Sequence, residues 1–105
     1  MSPWKIAALA FAAAAATHPA RAQDPASALN LRALAATCAN CHGTDGRTVP
    51  GSPIPAIAGM PRDYLATQLK AFKAGTRPST IMTQLAKGYT DAQLDLLAGY
   101  FAAQK

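Results

Sequence analysis

The pattern Cys38-Ala39-Asn40-Cys41-His42 places two thiols and an imidazole within five residues. Two residues between the thiols set the sulfur atoms at the separation of the two vinyl groups on one edge of a haem, so that each thiol can add to one vinyl group as a thioether. The histidine that follows directly can reach the iron through one ring nitrogen. The pattern therefore predicts covalent attachment of one c-type haem, with Cys38 and Cys41 binding the macrocycle and His42 binding the iron.

Three other uses of these thiols fit the sequence less well. A thioredoxin-like redox pair requires a βαβ context, and no segment alternates with period two for long enough to predict a strand. A structural zinc site requires four ligands, whereas Cys38, Cys41 and His42 are the only cysteines and histidines after residue 22. A disulfide across so short a loop would stabilise little and would leave His42 without a role.

The second axial ligand has to come from elsewhere, and two methionines are candidates. His42 is the only histidine after residue 22, which excludes two histidine ligands there. Met82 lies 40 residues beyond His42 in a segment interrupted by glycine and proline, where irregular backbone can cross the far face of a haem. Met60 directly precedes Pro61 and can instead cover the haem or fill the core. The spacing favours Met82, and a thioether ligand raises the reduction potential and closes the sixth position, which suits electron transfer.

A long loop rich in proline and glycine, Thr44–Met60, follows the motif. Prolines remove backbone donors, and a loop of this length inside a compact domain generally serves a function. We therefore expect a large apolar group to lie beneath it. The ring nitrogen of His42 that does not bind iron needs an acceptor that fixes the imidazole, and the carbonyl of Pro55 is the predicted acceptor.

Three segments carry apolar residues at helical spacing. The first extends over Leu31–Cys38, the second opens after Pro61 and runs to about Lys73, and Thr90 is placed to cap the third. Gly75 suits the position just past the second helix. The sequence therefore predicts an all-α fold of three main helices. The residues that share a helical face are Leu31, Leu34, Ala35 and Cys38, then Leu65, Leu69 and Phe72, then Leu94, Leu97, Ala98 and Phe101.

The first 22 residues have the pattern of a cleaved signal peptide. Lys5 is followed by the apolar run Ile6–Ala16, and Ala20-Arg21-Ala22 supplies the small residues that a signal peptidase needs. The run is too short to span a bilayer. We therefore expect cleavage before Gln23, with residues 1–22 removed and residues 23–105 forming one domain in the periplasm, outside the cytoplasm, where c-type haem is attached.

Length and charge exclude several classes of protein. A chain of 105 residues has room for one domain, and no stretch reaches the roughly 20 apolar residues of a membrane span. The formal charge is +5, but loss of residues 1–22 would remove Lys5 and Arg21 and leave +3. A nucleic-acid-binding protein would show a basic stripe interleaved with aromatic residues, and none is present.

Residues 23–105 resemble a small class I monohaem cytochrome c. The resemblance rests on Cys38–Gly43, on the loop Ile54–Gly59 and on Leu97–Phe101. It implies the class I fold, in which the first and last helices cross and helices and loops wrap around one haem c.

More narrowly, Tyr64–Pro78 and Ile81–Tyr89 are similar to the cytochrome subunit of flavocytochrome c sulfide dehydrogenases. In that family the methionine of the second stretch is the distal ligand, which here falls on Met82. Many members carry two haem domains, whereas this sequence has one Cys-x-x-Cys-His.

The resemblance implies periplasmic electron transfer by one haem with His42 and Met82 as axial ligands, and a flavoprotein sulfide dehydrogenase as the redox partner. No catalytic site within the chain itself is expected. Two alternatives stay open: a diffusible electron carrier for another donor, and a haem enzyme or gas-binding protein with an open sixth position.

Basic side chains near the expected haem have two interpretations. Lys70, Lys73, Arg77 and Lys87 can ring the haem edge and steer an acidic partner. Lys70 and Lys73 also lie in the last turn of a predicted helix, where cations are favourable for local reasons. Arg47 and Arg77 are both candidates to pair with a haem propionate through the guanidinium group.

Overall fold

The computed structural model describes residues 25–105, and the predicted signal peptide lies outside them. The described part of the chain is helical and contains no strand, so the all-α prediction is confirmed. None of its helices is long and apolar enough to cross a membrane. The helices are α1 (Pro25–Ala36), α2 (Ala39–His42), α3 (Arg62–Ala74), α4 (Met82–Ala86) and α5 (Asp91–Ala102), with a 3₁₀ turn at Thr44–Gly46 between α2 and the long loop.

The ends of α3 and α5 follow from local chemistry. Pro61 takes the position before the first residue of α3, with φ −55°, and Gly75 ends the helix in the left-handed conformation. At the start of α5 the Thr90 hydroxyl accepts from the Gln93 amide at 3.1 Å, and the Gln93 side-chain oxygen accepts from the Thr90 amide at 2.9 Å. This capping box satisfies two backbone donors that the helix leaves free, which confirms the predicted cap.

The core lies along α5, which packs against both α1 and α3, while α4 packs against α3. Leu94 and Ala98 are fully buried, and Leu97 and Phe101 nearly so. The contact between α1 and α5 is the one that the class I resemblance implies. The buried hydrophobic residues are Ala35, Leu65, Ala86, Leu94, Leu97, Ala98 and Phe101.

Two predicted features of the helices were wrong. The first helix does not extend to Cys38, because α1 ends at Ala36 and the Thr37 hydroxyl and amide both donate to the Leu34 carbonyl; Cys38 nevertheless packs against the same core cluster as Leu34. A threonine side chain that bonds the preceding turn competes with the helical backbone.

Met82 does not lie in irregular backbone either, since it is the first residue of α4. The Ser79 hydroxyl accepts from the Thr83 amide at 2.8 Å and so supports the start of this short helix.

Candidate haem site

The cysteines and the histidine of the motif lie on one helical turn. The amides of Cys41 and His42 both donate to the Cys38 carbonyl, at 3.4 and 3.0 Å. Cys38 is half-buried and Cys41 is exposed. This turn brings both thiols and the imidazole to the wall of a single cavity, as the spacing of the motif predicts.

The cavity has a volume of about 400 Å³ and its lining is mostly apolar. The motif and the long loop line it together with α3, α4 and α5. Tyr64, Ile81 and Leu85 line it although they are 48 %, 54 % and 45 % exposed. Large apolar side chains turned toward an open cavity are typical of a binding site whose ligand covers them. An apolar planar macrocycle that reacts with two thiols and is bound by an imidazole fits this donor set and these walls.

The imidazole of His42 is held in one orientation by the loop. Its Nδ1 lies 2.7 Å from the carbonyl oxygen of Pro55, and because a carbonyl only accepts, Nδ1 carries the proton and donates. The prediction of Pro55 as acceptor is confirmed. The other ring nitrogen, Nε2, takes no part in this bond and is the one available to a metal.

Hydrogen bonds to the 3₁₀ turn and to α5 fix the loop. The carbonyl of Gly46 accepts from the amides of Ile57 and Ala58 at 3.0 and 3.2 Å, and the amide of Gly59 donates to the Phe101 carbonyl at 2.8 Å. Gly46 is buried at φ 78°, in the left-handed region. The loop therefore presents the Pro55 carbonyl to His42 from a fixed position.

Burial raises the pKa of the Cys38 thiol; a hydrogen bond with Thr37 partly offsets this rise, and electrostatic interaction with Cys41 adds to it. The raised pKa keeps Cys38 protonated at neutral pH in the folded chain. The reactive form of cysteine is the thiolate. The closed fold therefore does not activate this thiol.

Both methionine candidates reach the same cavity. Met60 and Met82 are half-buried and line it together with His42. Met60 also packs against the hydrophobic core cluster. The four side chains predicted to bind the haem, Cys38, Cys41, His42 and Met82, thus meet at one cavity.

Residues 31–104 of this chain match the family model of cytochrome c. The chain belongs to the cytochrome c family. Members of this family carry covalently attached haem c and transfer electrons, so the predicted cofactor is confirmed together with the class I fold.

Three named relatives are 36–44 % identical to this chain. The chain is 44 % identical over 89 residues to the cytochrome subunit of sulfide dehydrogenase from Chlorobaculum tepidum, covering 83 % of this chain and 79 % of the relative. It is 40 % identical over 81 residues to the thiosulfate dehydrogenase electron acceptor of Thiomonas intermedia, covering 77 % of this chain and 37 % of the relative. It is 36 % identical over 73 residues to cytochrome c-554(548) of Halomonas halodenitrificans, covering 66 % and 86 %. The chain thus spans most of the first and third relatives and little more than a third of the second.

Two basic residues of α3 in this cytochrome c form ion pairs with α5. Lys70 pairs with Asp95, and Lys73 pairs with Asp91, both at 2.8 Å, which joins α3 to α5. The hydrogen bond and the charge of Lys73 lower the pKa of Asp91. These two lysines are occupied within the fold, which favours the local interpretation of their positions over docking.

Of the two arginines considered for the propionates, only Arg77 lines the cavity. Its guanidinium lies 4.5 Å from the centre of the Phe72 ring and donates to the Gln68 side chain. Arg47 lies 3.5 Å from Asp45 and donates to the Lys105 carbonyl.

Two hydrogen bonds at the site were not predicted from the sequence. Tyr89 and Thr37 share one at 2.7 Å, and since the Thr37 hydroxyl proton is given to the Leu34 carbonyl, Tyr89 donates to Thr37. Tyr100 donates to Asp45, whose carboxylate raises the pKa of the Tyr100 phenol. The partners are 52 and 55 residues apart, so no local pattern could have indicated them.

Proposed function

We propose that this cytochrome c is a periplasmic one-electron carrier whose iron is bound by His42 and Met82, and that it is the cytochrome subunit of a flavoprotein sulfide dehydrogenase. The observation that carries the proposal is the fixed imidazole. His42 Nδ1 donates to Pro55, which leaves Nε2 for the iron, and the Met82 side chain lines the same apolar cavity.

Four residues of this chain have a defined task in the proposed mechanism. Cys38 and Cys41 would attach the macrocycle, and His42 and Met82 would bind its iron. The haem supplies a one-electron couple between ferric and ferrous iron. With His42 and Met82 both bound to the iron, the protein would exclude oxygen and substrates from the metal, which would leave electron transfer as its chemistry.

The start of α4 supports Met82 as the ligand. The Ser79 hydroxyl accepts from the Thr83 amide and lies 2.8 Å from the Thr83 hydroxyl, so the residue after Met82 is held on both its backbone and its side chain. Met60 packs against the core cluster, which is the ordinary role of a methionine that fills space.

We expect Met82→Ala to abolish the red-region sulfur-to-iron absorption band of the oxidised protein and to lower the reduction potential. The reason is that a thioether ligand favours ferrous iron and is then absent. The matched control is Met60→Ala, which removes the other half-buried methionine of the cavity and should leave the band in place. Absorption spectra and redox titration of the two purified variants check this expectation.

The reverse outcome, with the band lost in Met60→Ala and kept in Met82→Ala, would move the ligand to Met60. Absence of the band from the native oxidised protein would contradict methionine ligation and favour an open sixth position, as in a haem enzyme or a gas-binding protein. A further variant, Met82→His, should restore a six-coordinate low-spin haem at a lower potential than the native protein, because imidazole stabilises ferric iron more than a thioether does.

The periplasmic location is proposed from residues 1–22. Their charged start, apolar run and Ala20-Arg21-Ala22 site have the order of a secretory signal peptide. The haem-bearing domain is then 23–105. Attachment of haem c outside the cytoplasm is consistent with export.

The dehydrogenase partner is proposed from the relative in Chlorobaculum tepidum, which is named as the cytochrome subunit of sulfide dehydrogenase and aligns over 79 % of its length. In the proposed complex, electrons leave a flavin and reach this haem. Cys41 is exposed, so a haem attached to it would have that edge near the surface. Ile81 and Leu85, which line the cavity while remaining about half exposed, would supply an apolar rim for the flavoprotein.

In native extract separated by gel filtration, we expect haem absorbance to elute together with flavin fluorescence, at a size well above that of the isolated cytochrome. A subunit of a permanent complex buries more surface than a transient electron-transfer encounter does, so the complex should survive gentle fractionation. The purified cytochrome, run alone on the same column, marks the position of the free domain.

A freely diffusing carrier is the second candidate. The observation that favours it is the single Cys-x-x-Cys-His of this chain, together with the alignment to cytochrome c-554(548), which covers 86 % of that protein. Haem eluting only at the size of the free domain, with no flavin alongside, would contradict the subunit proposal and support the carrier.

A further inference from the structure

We infer that Tyr100 and Asp45 are positioning residues for His42: their hydrogen bond fixes the turn that follows the motif and thereby sets the strength of the hydrogen bond from His42 to Pro55. The inference rests on the proposed ligation of iron by His42 and assigns a role to two residues that touch neither the cysteines nor the imidazole.

The turn after the motif has a backbone that needs support. Asp45 has φ 54° and ψ 27°, which is the left-handed conformation, and a residue other than glycine adopts it at a cost in free energy. Its carboxylate accepts from the Tyr100 hydroxyl and lies 3.5 Å from the Arg47 guanidinium. The Asp45 side chain is 31 % exposed, so these bonds are partly shielded from water. Strained residues of this kind persist where the surroundings determine their conformation.

The turn is connected to the imidazole by two routes. The first is the chain itself, from Asp45 back through Gly43 to His42. The second runs through the next residue, Gly46, whose carbonyl accepts from the amides of Ile57 and Ala58. That stretch of loop carries Pro55, whose carbonyl accepts from His42 Nδ1. The turn and the loop thus form a closed ring of covalent and hydrogen bonds around His42.

Helix α5 anchors this ring at two adjacent residues. Tyr100 holds Asp45 in the turn, and the carbonyl of Phe101 holds Gly59 at the end of the loop. The rings of Tyr100 and Phe101 pack edge to face, with centroids 5.3 Å apart. Because α5 carries most of the buried core, it is a rigid support. Removal of the Tyr100 hydroxyl frees one of the two anchors and leaves the ring packing intact.

The expected consequence is electronic as well as structural. A histidine that donates its second ring proton to a fixed acceptor is a more basic ligand, and a more basic ligand stabilises the ferric state. If the turn loosens, the bond from His42 to Pro55 is made for a smaller fraction of the time. The Nδ1 proton then exchanges faster with solvent, and the reduction potential rises.

The test compares haem-loaded Tyr100→Phe with the native protein. Hydrogen exchange of the His42 Nδ1 proton, followed by NMR of the reduced protein, should be faster in Tyr100→Phe by on the order of tenfold, because a hydrogen bond to a charged group is lost from the anchor. The reduction potential should shift upward.

Asp45→Ala should reproduce both effects, namely faster exchange of the His42 Nδ1 proton and a higher reduction potential. Asp45→Asn should restore slow exchange in part, because asparagine tolerates the left-handed conformation and its amide oxygen still accepts from Tyr100.

The control variant is Asp95→Asn, which removes a carboxylate of α5 that pairs with Lys70 at 2.8 Å and lies outside the ring. Exchange and potential should remain at their native values in this variant. Native exchange and native potential in Tyr100→Phe would overturn the inference, even if that variant unfolded more easily, because the role of Tyr100 would then be structural alone. Absence of an iron-bound histidine signature from the native protein would instead contradict the proposed ligation by His42.

Discussion

Gly46→Ala is expected to lower the free energy of unfolding by about 2–5 kcal/mol. A side chain at φ 78° costs about 1–2 kcal/mol. The added Cβ would also lie 2.8 Å from Ile57 Cγ1, 2.9 Å from Phe101 Cδ1 and 3.0 Å from the Ala58 amide nitrogen, and such overpacking costs about 1–3 kcal/mol. Against the 5–15 kcal/mol that typically holds a domain together, this loss is severe.

The matched control is Gly51→Ala in the same loop. Gly51 has nearly the same backbone angle, φ 82°, but a Cβ there would meet no atom within 4 Å. Both substitutions carry the conformational cost and both reduce the entropy of the unfolded chain, so their difference isolates the steric contribution. Denaturant unfolding of the two haem-loaded variants, followed by circular dichroism, measures it. Equal destabilisation of the two variants would show that Gly46 is required for its backbone angle alone.

Replacing both Cys38 and Cys41 by alanine is expected to remove all covalently bound haem. Thioether bonds survive denaturation whereas axial bonds to iron do not, so the denatured native protein should exceed its polypeptide mass by one haem and the double variant should match its polypeptide mass. The chain contains two cysteines in all, and no other thiol can substitute. Intact mass spectrometry checks this result, and the same spectrum tests whether residues 1–22 have been removed.

Each single variant is the control for the double one. Cys38→Ala and Cys41→Ala should each retain haem through the remaining thioether, at reduced yield. A native protein whose denatured mass equals that of the polypeptide alone would contradict attachment at this motif.

The sequence was sufficient for those parts of the site that depend on residues close together in the chain. The spacing of Cys38, Cys41 and His42 fixes one helical turn, and the exchange of hydrogen bonds between Thr90 and Gln93 fixes the start of α5. The Pro55 acceptor was predicted from hydrogen-bond requirements. The prolines of the loop lack amide donors, so some loop carbonyls have no backbone partner, and the His42 ring nitrogen needs an acceptor.

What the sequence could not predict depends on tertiary contacts or on small local preferences. The end of α1 at Ala36 is set by one threonine side chain, and α4 is a helix of five residues, too short for a periodic pattern to appear. The bonds from Tyr89 to Thr37 and from Tyr100 to Asp45 join residues 52 and 55 positions apart, which only the tertiary fold brings together. Lys70 and Lys73 illustrate the same limit, because their partners lie on another helix.

The distribution of the core along the chain bears on when the haem can be attached. Four of the seven buried hydrophobic side chains of residues 25–105 belong to α5, and α3 and α4 lie between α5 and the motif. Contacts between distant parts of a chain form only after both parts are available. If the chain is exported with its N-terminal part first, as we propose from residues 1–22, Cys38 and Cys41 emerge while the core is still open. In that interval the Cys38 thiol is not yet buried, and burial is what raises its pKa, so we expect haem to react more readily with the open chain than with the closed fold.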